Sequence, residues 1–70
     1  MKNFIHGEPH INMIIGMGEK DASEHLGKIG YTMQVVNRNG SPLMIQEDYK
    51  ANRVKVFTVQ GFVSDIDHIG

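Results

Sequence analysis

Cysteine and tryptophan are absent from this chain of 70 residues, proline occurs only twice, and no apolar run is long. Each absence excludes something. Without cysteine there is no disulfide staple and no thiolate nucleophile. A domain of this size buries only about 60% of its unfolded surface. An unstapled chain must therefore place nearly all its apolar residues in one core, or associate with further copies. No segment approaches the ~20 apolar residues of a membrane helix. Met1–Ile5 runs straight into His6-Gly7-Glu8-Pro9-His10, which interrupts the apolar stretch that a secretory leader needs. A cytoplasmic protein without a membrane segment is expected.

Charge of one sign is also lacking. Seven basic and eight acidic residues leave a net charge of -1, so there is no electrostatic footprint for nucleic acid. Few aromatics means no platform for stacking bases.

Side chains with catalytic chemistry are scattered. Ser23, Ser41 and Ser64 stand in no nucleophile-elbow context. His6 and His10 have helical metal-pair spacing, but Pro9 lies between them, where it would break a helix interior. Asp65, Asp67 and His68 cluster on what reads as an irregular tail, and His25 reads as a boundary residue of a helix. No enzymatic activity, cofactor or metal is expected.

What is present is a sequence of short elements. Residues 1–10 read as an arm, with Gly7 and Pro9 opposing regular structure. Ile11–Ile15 reads as an edge strand or extended entry segment. Gly16-Met17-Gly18 reads as a tight turn with Gly18 as N-cap, since a phosphate loop would need a further glycine and a Lys-Ser/Thr pair. Glu19–Gly30 is the one helix. Acidic Glu19 and Asp21 open it, Lys28 closes it, Ala22, Leu26 and Ile29 form its buried stripe, and Gly30 suits a left-handed stop.

Tyr31–Val36 reads as a strand, followed by turn chemistry at Asn37–Pro42. Gly40–Asn52 then has no steady period, apart from the apolar run Leu43-Met44-Ile45, which leaves open a further strand at Leu43–Gln46. Arg53–Val59 alternates cleanly, with Val54 and Val56 on one face and Arg53, Lys55 and Phe57 on the other. Gln60-Gly61 is a two-residue turn, Phe62–Ile66 an antiparallel return, and residues 67–70 a tail. The expected fold is one domain over residues 1–70. It is a two-layer α+β arrangement, one helix packed on a small mixed sheet. A long exposed loop at residues 42–50 would join two parallel strands, since a parallel pair needs a crossover of about this length.

The segment Asp48-Tyr49-Lys50-Ala51-Asn52-Arg53-Val54-Lys55-Val56-Phe57 resembles the acidic-Tyr-basic-x-Asp-Arg-Val-basic-hydrophobic-Phe segment of the potato inhibitor I family of serine-protease inhibitors. The single helix with central Ala22 and the ending His68-Ile69-Gly70 fall in the matching order, so the resemblance spans residues 16–70. It implies a serine-protease inhibitor whose loop is presented in extended, substrate-like form. The protease-contacting residues would be Ile45, Gln46, Glu47, Asp48, Tyr49 and Lys50, with Glu47 as the primary specificity residue and Glu47–Asp48 as the presented bond. Gln46 and Asp48 would be anchored, with Arg53 and Lys55 as supports beneath them. Glu47 stands where the family carries a large apolar residue, which implies a protease with a basic specificity pocket. Lys55 stands where a second supporting arginine is expected, and a lysine makes no planar bidentate contact.

A different class of function is also open. The same fold, as a small intracellular oligomer, would sequester an anionic, nucleotide-like ligand. Its contacts would come from Arg38, Arg53, Lys55 and the glycine turn at Gly16 and Gly18.

Overall fold

A computed structural model describes residues 9–45 and 48–70. Its described elements are α1 (Pro9–Asn12), α2 (Glu19–Lys28), β1 (Thr32–Arg38), β2 (Ser41–Pro42), β3 (Arg53–Val59) and β4 (Phe62–Ile69). One main helix and a four-stranded sheet of order β2-β1-β3-β4 make the α+β arrangement expected. β1 and β3 are parallel, and the other pairs are antiparallel.

The first departure comes at Pro9–Ile15, where a helical turn replaces the expected arm end and edge strand. Pro9 opens α1, where its fixed φ suits a first turn and its missing N–H is no loss. Turn bonds continue past the helix, from Ile14 N–H to Ile11 O (3.2 Å) and from Met17 N–H to Ile14 O (2.9 Å). The three-residue spacing of Ile11 and Ile14 places both in the core, fully buried. A run of five residues with four apolar ones satisfies a strand and a helical turn equally well.

The Gly16–Gly18 turn packs against the start of β4. Gly16 N–H donates to Val63 O (2.8 Å), Val63 N–H to Met17 O (2.8 Å), and Glu19 N–H to Gly61 O (2.9 Å). Gly18 is the N-cap of α2, in extended backbone and without a side-chain cap bond. The helix ends two residues earlier than expected. Gly30 is left-handed (φ 86), with Gly30 N–H donating to Gly27 O (3.3 Å) and Tyr31 N–H to Leu26 O (2.9 Å). These two bonds are those of a Schellman motif. Ile29 therefore becomes the C-cap and turns outward, 39% exposed, while Ala22 and Leu26 remain fully buried.

β3 is the regular centre of the sheet. Val54, Val56 and Thr58 face α2 and are fully buried. Its neighbours are irregular. β1 carries one extra residue at Val36, between the pairs Val35↔Val56 and Asn37↔Phe57. β4 carries two, Asp67 and Ser64, between Lys55↔His68 and Val56↔Ile66 and between Phe57↔Asp65 and Thr58↔Val63. Each bulge skips one position. On β4 every third residue, Val63, Ile66 and Ile69, therefore joins the core. This spacing defeats a search for strict alternation, and residues 67–69 belong to β4 instead of forming a tail.

Two tight turns lie at one end of the sheet. Asn39-Gly40 (φ 55 and 82) and Gln60-Gly61 (φ 52 and 83) both have paired positive φ, as two-residue hairpin turns of the primed type require. They are tied together, since Gln60 N–H donates to Asn39 Oδ1 (2.7 Å) and Asn39 N–H to Thr58 O (2.8 Å). The first hairpin makes Ser41–Pro42 a short strand, so Pro42 belongs to β2 instead of the loop; of the further strand left open at Leu43–Gln46, residues 43–45 are not strand and Gln46 lies outside the described residues. No helix among the described residues is long and apolar enough to cross a membrane.

Candidate functional site

The sheet face opposite α2 carries Arg53, Lys55 and Phe57 from β3, by simple alternation. Arg53 and Lys55 are 8% and 7% exposed, so this end of the face is covered and not solvated. Residues 48–52 of the connection between the parallel strands lie here. The base of the connection is closed by backbone bonds, from Thr32 N–H to Asn52 O (2.7 Å) and from Arg53 N–H to Lys50 O (3.2 Å). At its start, Leu43 N–H still donates to Val36 O (3.0 Å).

Arg53 is the hub. Its Nη2 donates to the Asp48 backbone carbonyl (2.8 Å) and to Asp48 Oδ1 (3.0 Å). Its Nε donates to Gly70 O (2.6 Å), and Gly70 N–H returns a bond to Arg53 O (2.9 Å). A planar guanidinium supplies these donors in a fixed fork, so Gly70 on one side orients the group that holds Asp48 on the other. Gly70 is buried against His68. A Cβ placed on it would stand 2.9 Å from His68 Cδ2 and 3.7 Å from Tyr49 Cδ1. The hydrogen bond from the Arg53 guanidinium, reinforced by its charge, holds the Asp48 carboxyl below the usual carboxylate range, against an opposing desolvation.

Lys55 differs from Arg53. In register it lies between Gln34 of β1 and His68 of β4. Its ammonium has no polar partner among the described residues, so it makes no bond to Asp48. Gln46 and Glu47, and with them the centre of the expected presented bond, lie outside the described residues. On either side of them the loop is exposed. Met44 is fully exposed, Ile45 is 37% exposed and Tyr49 75% exposed, and Lys50 also faces solvent.

The residues named for an anionic ligand are not gathered in one place. Arg38 lies on the α2 side of the sheet and pairs with Glu19 at 3.0 Å. It sits in register with Thr58, five residues along β3 from Arg53, or about 17 Å at strand rise. The Gly16 N–H is already bonded to β4, and Gly18 is bridged to Phe62. A cleft of about 260 Å³ opens elsewhere on the sheet, lined by Asn37, Gly40, Phe57, Thr58, Val59 and Ser64. None of the residues singled out from the sequence for binding lines it.

Among the described residues no three His, Cys, Asp or Glu side chains converge as metal ligands. His68 Nδ1 lies 2.9 Å from Asp67 Oδ2, and His25 Nε2 lies 2.8 Å from His10 O. These imidazoles are used locally, and His6 falls outside the described residues. What sequence reasoning missed is Gly70 as the second partner of Arg53. The signal was the three-residue spacing of Val63, Ile66 and Ile69, which carries β4 through to the chain's end. No family model matches the chain, and neither the curated proteins nor the solved structures contain a significant match.

Proposed function

We propose that this chain is a binding protein that blocks a serine protease by offering its 42–50 loop in substrate-like form, with Glu47–Asp48 as the presented bond and no catalysis of its own. The observation that carries this reading is the Arg53 clamp on Asp48. Asp48 would bear the amine released on cleavage. Arg53 holds that residue by its main-chain carbonyl and by its carboxylate at once. A leaving amine that cannot diffuse away stays at high effective concentration beside the acyl-enzyme and re-forms the bond. A residue already held in place, as Asp48 is, also loses little conformational entropy on docking. The exposed flanks, Met44 and Ile45 before the bond and Tyr49 and Lys50 after it, leave side chains free to enter subsites. Glu47 directs the loop to a protease with a basic primary pocket.

A panel of serine proteases of acidic, basic and apolar primary specificity tests this. The acidic-preferring members should be inhibited, and Glu47→Leu should move inhibition to the apolar-preferring ones. Failure of the wild type against the whole panel, or a specificity that ignores residue 47, would sink the reading.

A further inference from the structure

Asn39-Gly40 is the one Asn-Gly step in the chain; the other asparagines precede Phe4, Met13, Arg38 and Arg53. Asparagine is least stable before glycine, which has no side chain to hinder attack by its own backbone nitrogen. Both residues of the step are exposed to water in the first hairpin turn.

The reaction open to such a step needs only water. The Gly40 nitrogen gives up its proton and bonds to Asn39 Cγ. The Cγ–Nδ2 bond breaks, and the side-chain nitrogen leaves as ammonia with that proton. Water then opens the five-membered imide. Attack at Cγ gives aspartate, and attack at the Asn39 carbonyl carbon gives isoaspartate, in which the chain runs through the side chain. Nothing is oxidised or reduced.

Geometry decides whether the first step can occur. Ring closure needs Asn39 Cβ and the Gly40 nitrogen eclipsed about the Cα–C bond. Asn39 has φ 55, and the left-handed region at that φ allows ψ of only about +30 to +60°. There the two groups stand nearly opposite, and Cγ is out of the nitrogen's reach. Two hydrogen bonds hold Asn39 in this state. Its N–H donates to Thr58 O (2.8 Å), and its Oδ1 accepts from Gln60 N–H (2.7 Å). The second turn is fastened in its own right, since Glu19 N–H at the start of α2 donates to Gly61 O (2.9 Å).

We infer that Asn39 is a deamidation site held shut by the paired turns, and that conversion there is a one-way mark of their opening. While the turns stay tied, the amide survives. When Gln60 releases Oδ1 and Asn39 leaves the left-handed region, the imide closes. The two products then differ. Aspartate keeps a two-residue turn and an oxygen for the Gln60 N–H. Isoaspartate adds one backbone atom to a turn whose pairs, Arg38↔Ser41 and Asn37↔Pro42, fit two residues. It therefore unpairs β2, where the chain leaves the sheet for the connection to β3. The inference is independent of what the loop binds.

The test incubates the wild-type chain at mildly alkaline pH, in buffer and in denaturing urea, and follows conversion at Asn39 by peptide mass spectrometry. Conversion should be roughly tenfold or more slower in buffer, where it proceeds only through opening. Gly61→Ala loosens the tie without touching the reacting step. A Cβ at Gly61 meets no atom within 4 Å, so it acts through the positive φ alone. Conversion of this variant in buffer should rise roughly five- to thirtyfold, the change in opening that a left-handed residue with Cβ produces. Equal rates in buffer and urea overturn the proposal. So does a folded Gly61→Ala chain that converts no faster than the wild type. Should that variant fail to fold, the comparison of buffer with urea decides alone. The isoaspartyl chain, separated by ion exchange, should exchange its Ser41 amide faster than the aspartyl chain; equal exchange would overturn the unpairing of β2.

Discussion

Replacing Arg53 tests the loop support most directly, and the structure indicates which replacement to use. Arg53 donates to two backbone carbonyls, Asp48 O at 2.8 Å and Gly70 O at 2.6 Å, from a side chain that is nearly buried. Hydrogen bonds from a charged group contribute about 1.5–3 kcal/mol each, so losing both costs about 3–6 kcal/mol. A chain of this length has a total stability of about 4–10 kcal/mol. Arg53→Ala therefore removes a large share of the stability, and a loss of inhibition would not separate loop support from unfolding. Arg53→Lys keeps the stem and the charge but reaches one carbonyl, not both, which costs about 1.5–3 kcal/mol and leaves a folded domain. Urea denaturation should show that loss. Under the inhibitor reading, the same variant should still bind its protease but be cleaved roughly ten- to a hundredfold faster, the factor to which that energy corresponds. Chromatography of the products against time reads this rate. A Lys variant that is destabilised yet cleaved no faster would refute the claim that Arg53 slows hydrolysis by holding Asp48.

Three further outcomes follow from the same geometry. The folded-state pKa of Asp48 is lowered by Arg53, so its contribution is complete above the unfolded value of about 3.9 and is lost as pH falls through the lower folded value. Denaturation midpoints should fall below about pH 4 in the wild type, and Asp48→Asn should remove that component, leaving the rest of the acid profile in place. Ile14→Ala should cost about 2–5 kcal/mol, as truncation of a fully buried side chain does; a change within about 0.5 kcal/mol, the range of surface substitutions, would return residues 11–15 to a surface segment. Gln60→Gly should stabilise by up to about 1 kcal/mol, because a left-handed backbone costs a residue with Cβ roughly 1–2 kcal/mol and glycine returns only part of that as entropy. Thermal melting of that variant is sufficient to check the sign.

The parts of the fold that were legible in the chain are those governed by local rules. The alternation of Arg53–Val59 set a strand whose two faces differ. The acidic start, the Ala22 and Leu26 spacing and Gly30 set a helix and its stop. The Gln60-Gly61 turn held as a hairpin with positive φ. The readings that changed share one physical cause, a residue count that local periodicity does not resolve. Ile11–Ile15 is too short for its apolar pattern to separate a strand from a helical turn. Residues 62–69 hide a strand because two bulges convert its period from two to three. The Asn39-Gly40 hairpin was legible as a turn, but not as the start of a two-residue strand.

For the candidate site the division is similar. Arg53 was visible as a basic residue on the face opposite Val54 and Val56, and Asp48 as an acidic residue five positions before it. Sequence spacing carries no information about whether a side chain on one face meets a backbone carbonyl in a loop. Lys55 shares the face and the charge of Arg53, yet one holds Asp48 and the other has no partner among the described residues. Arg38 has the same charge again, but the β1 bulge and its place at the far end of the strand turn it to the other side of the sheet, against Glu19.

By itself, then, the sequence determined which residues are paired by pattern: the helix, the regular central strand, the long crossover between parallel strands and the tight turns. These depend on propensities and spacings within a few residues. Only the tertiary structure decided which cations act together and that Gly70 completes the Arg53 contacts. Each of those depends on register between segments far apart in the chain, and a single bulged residue moves a side chain to the opposite face.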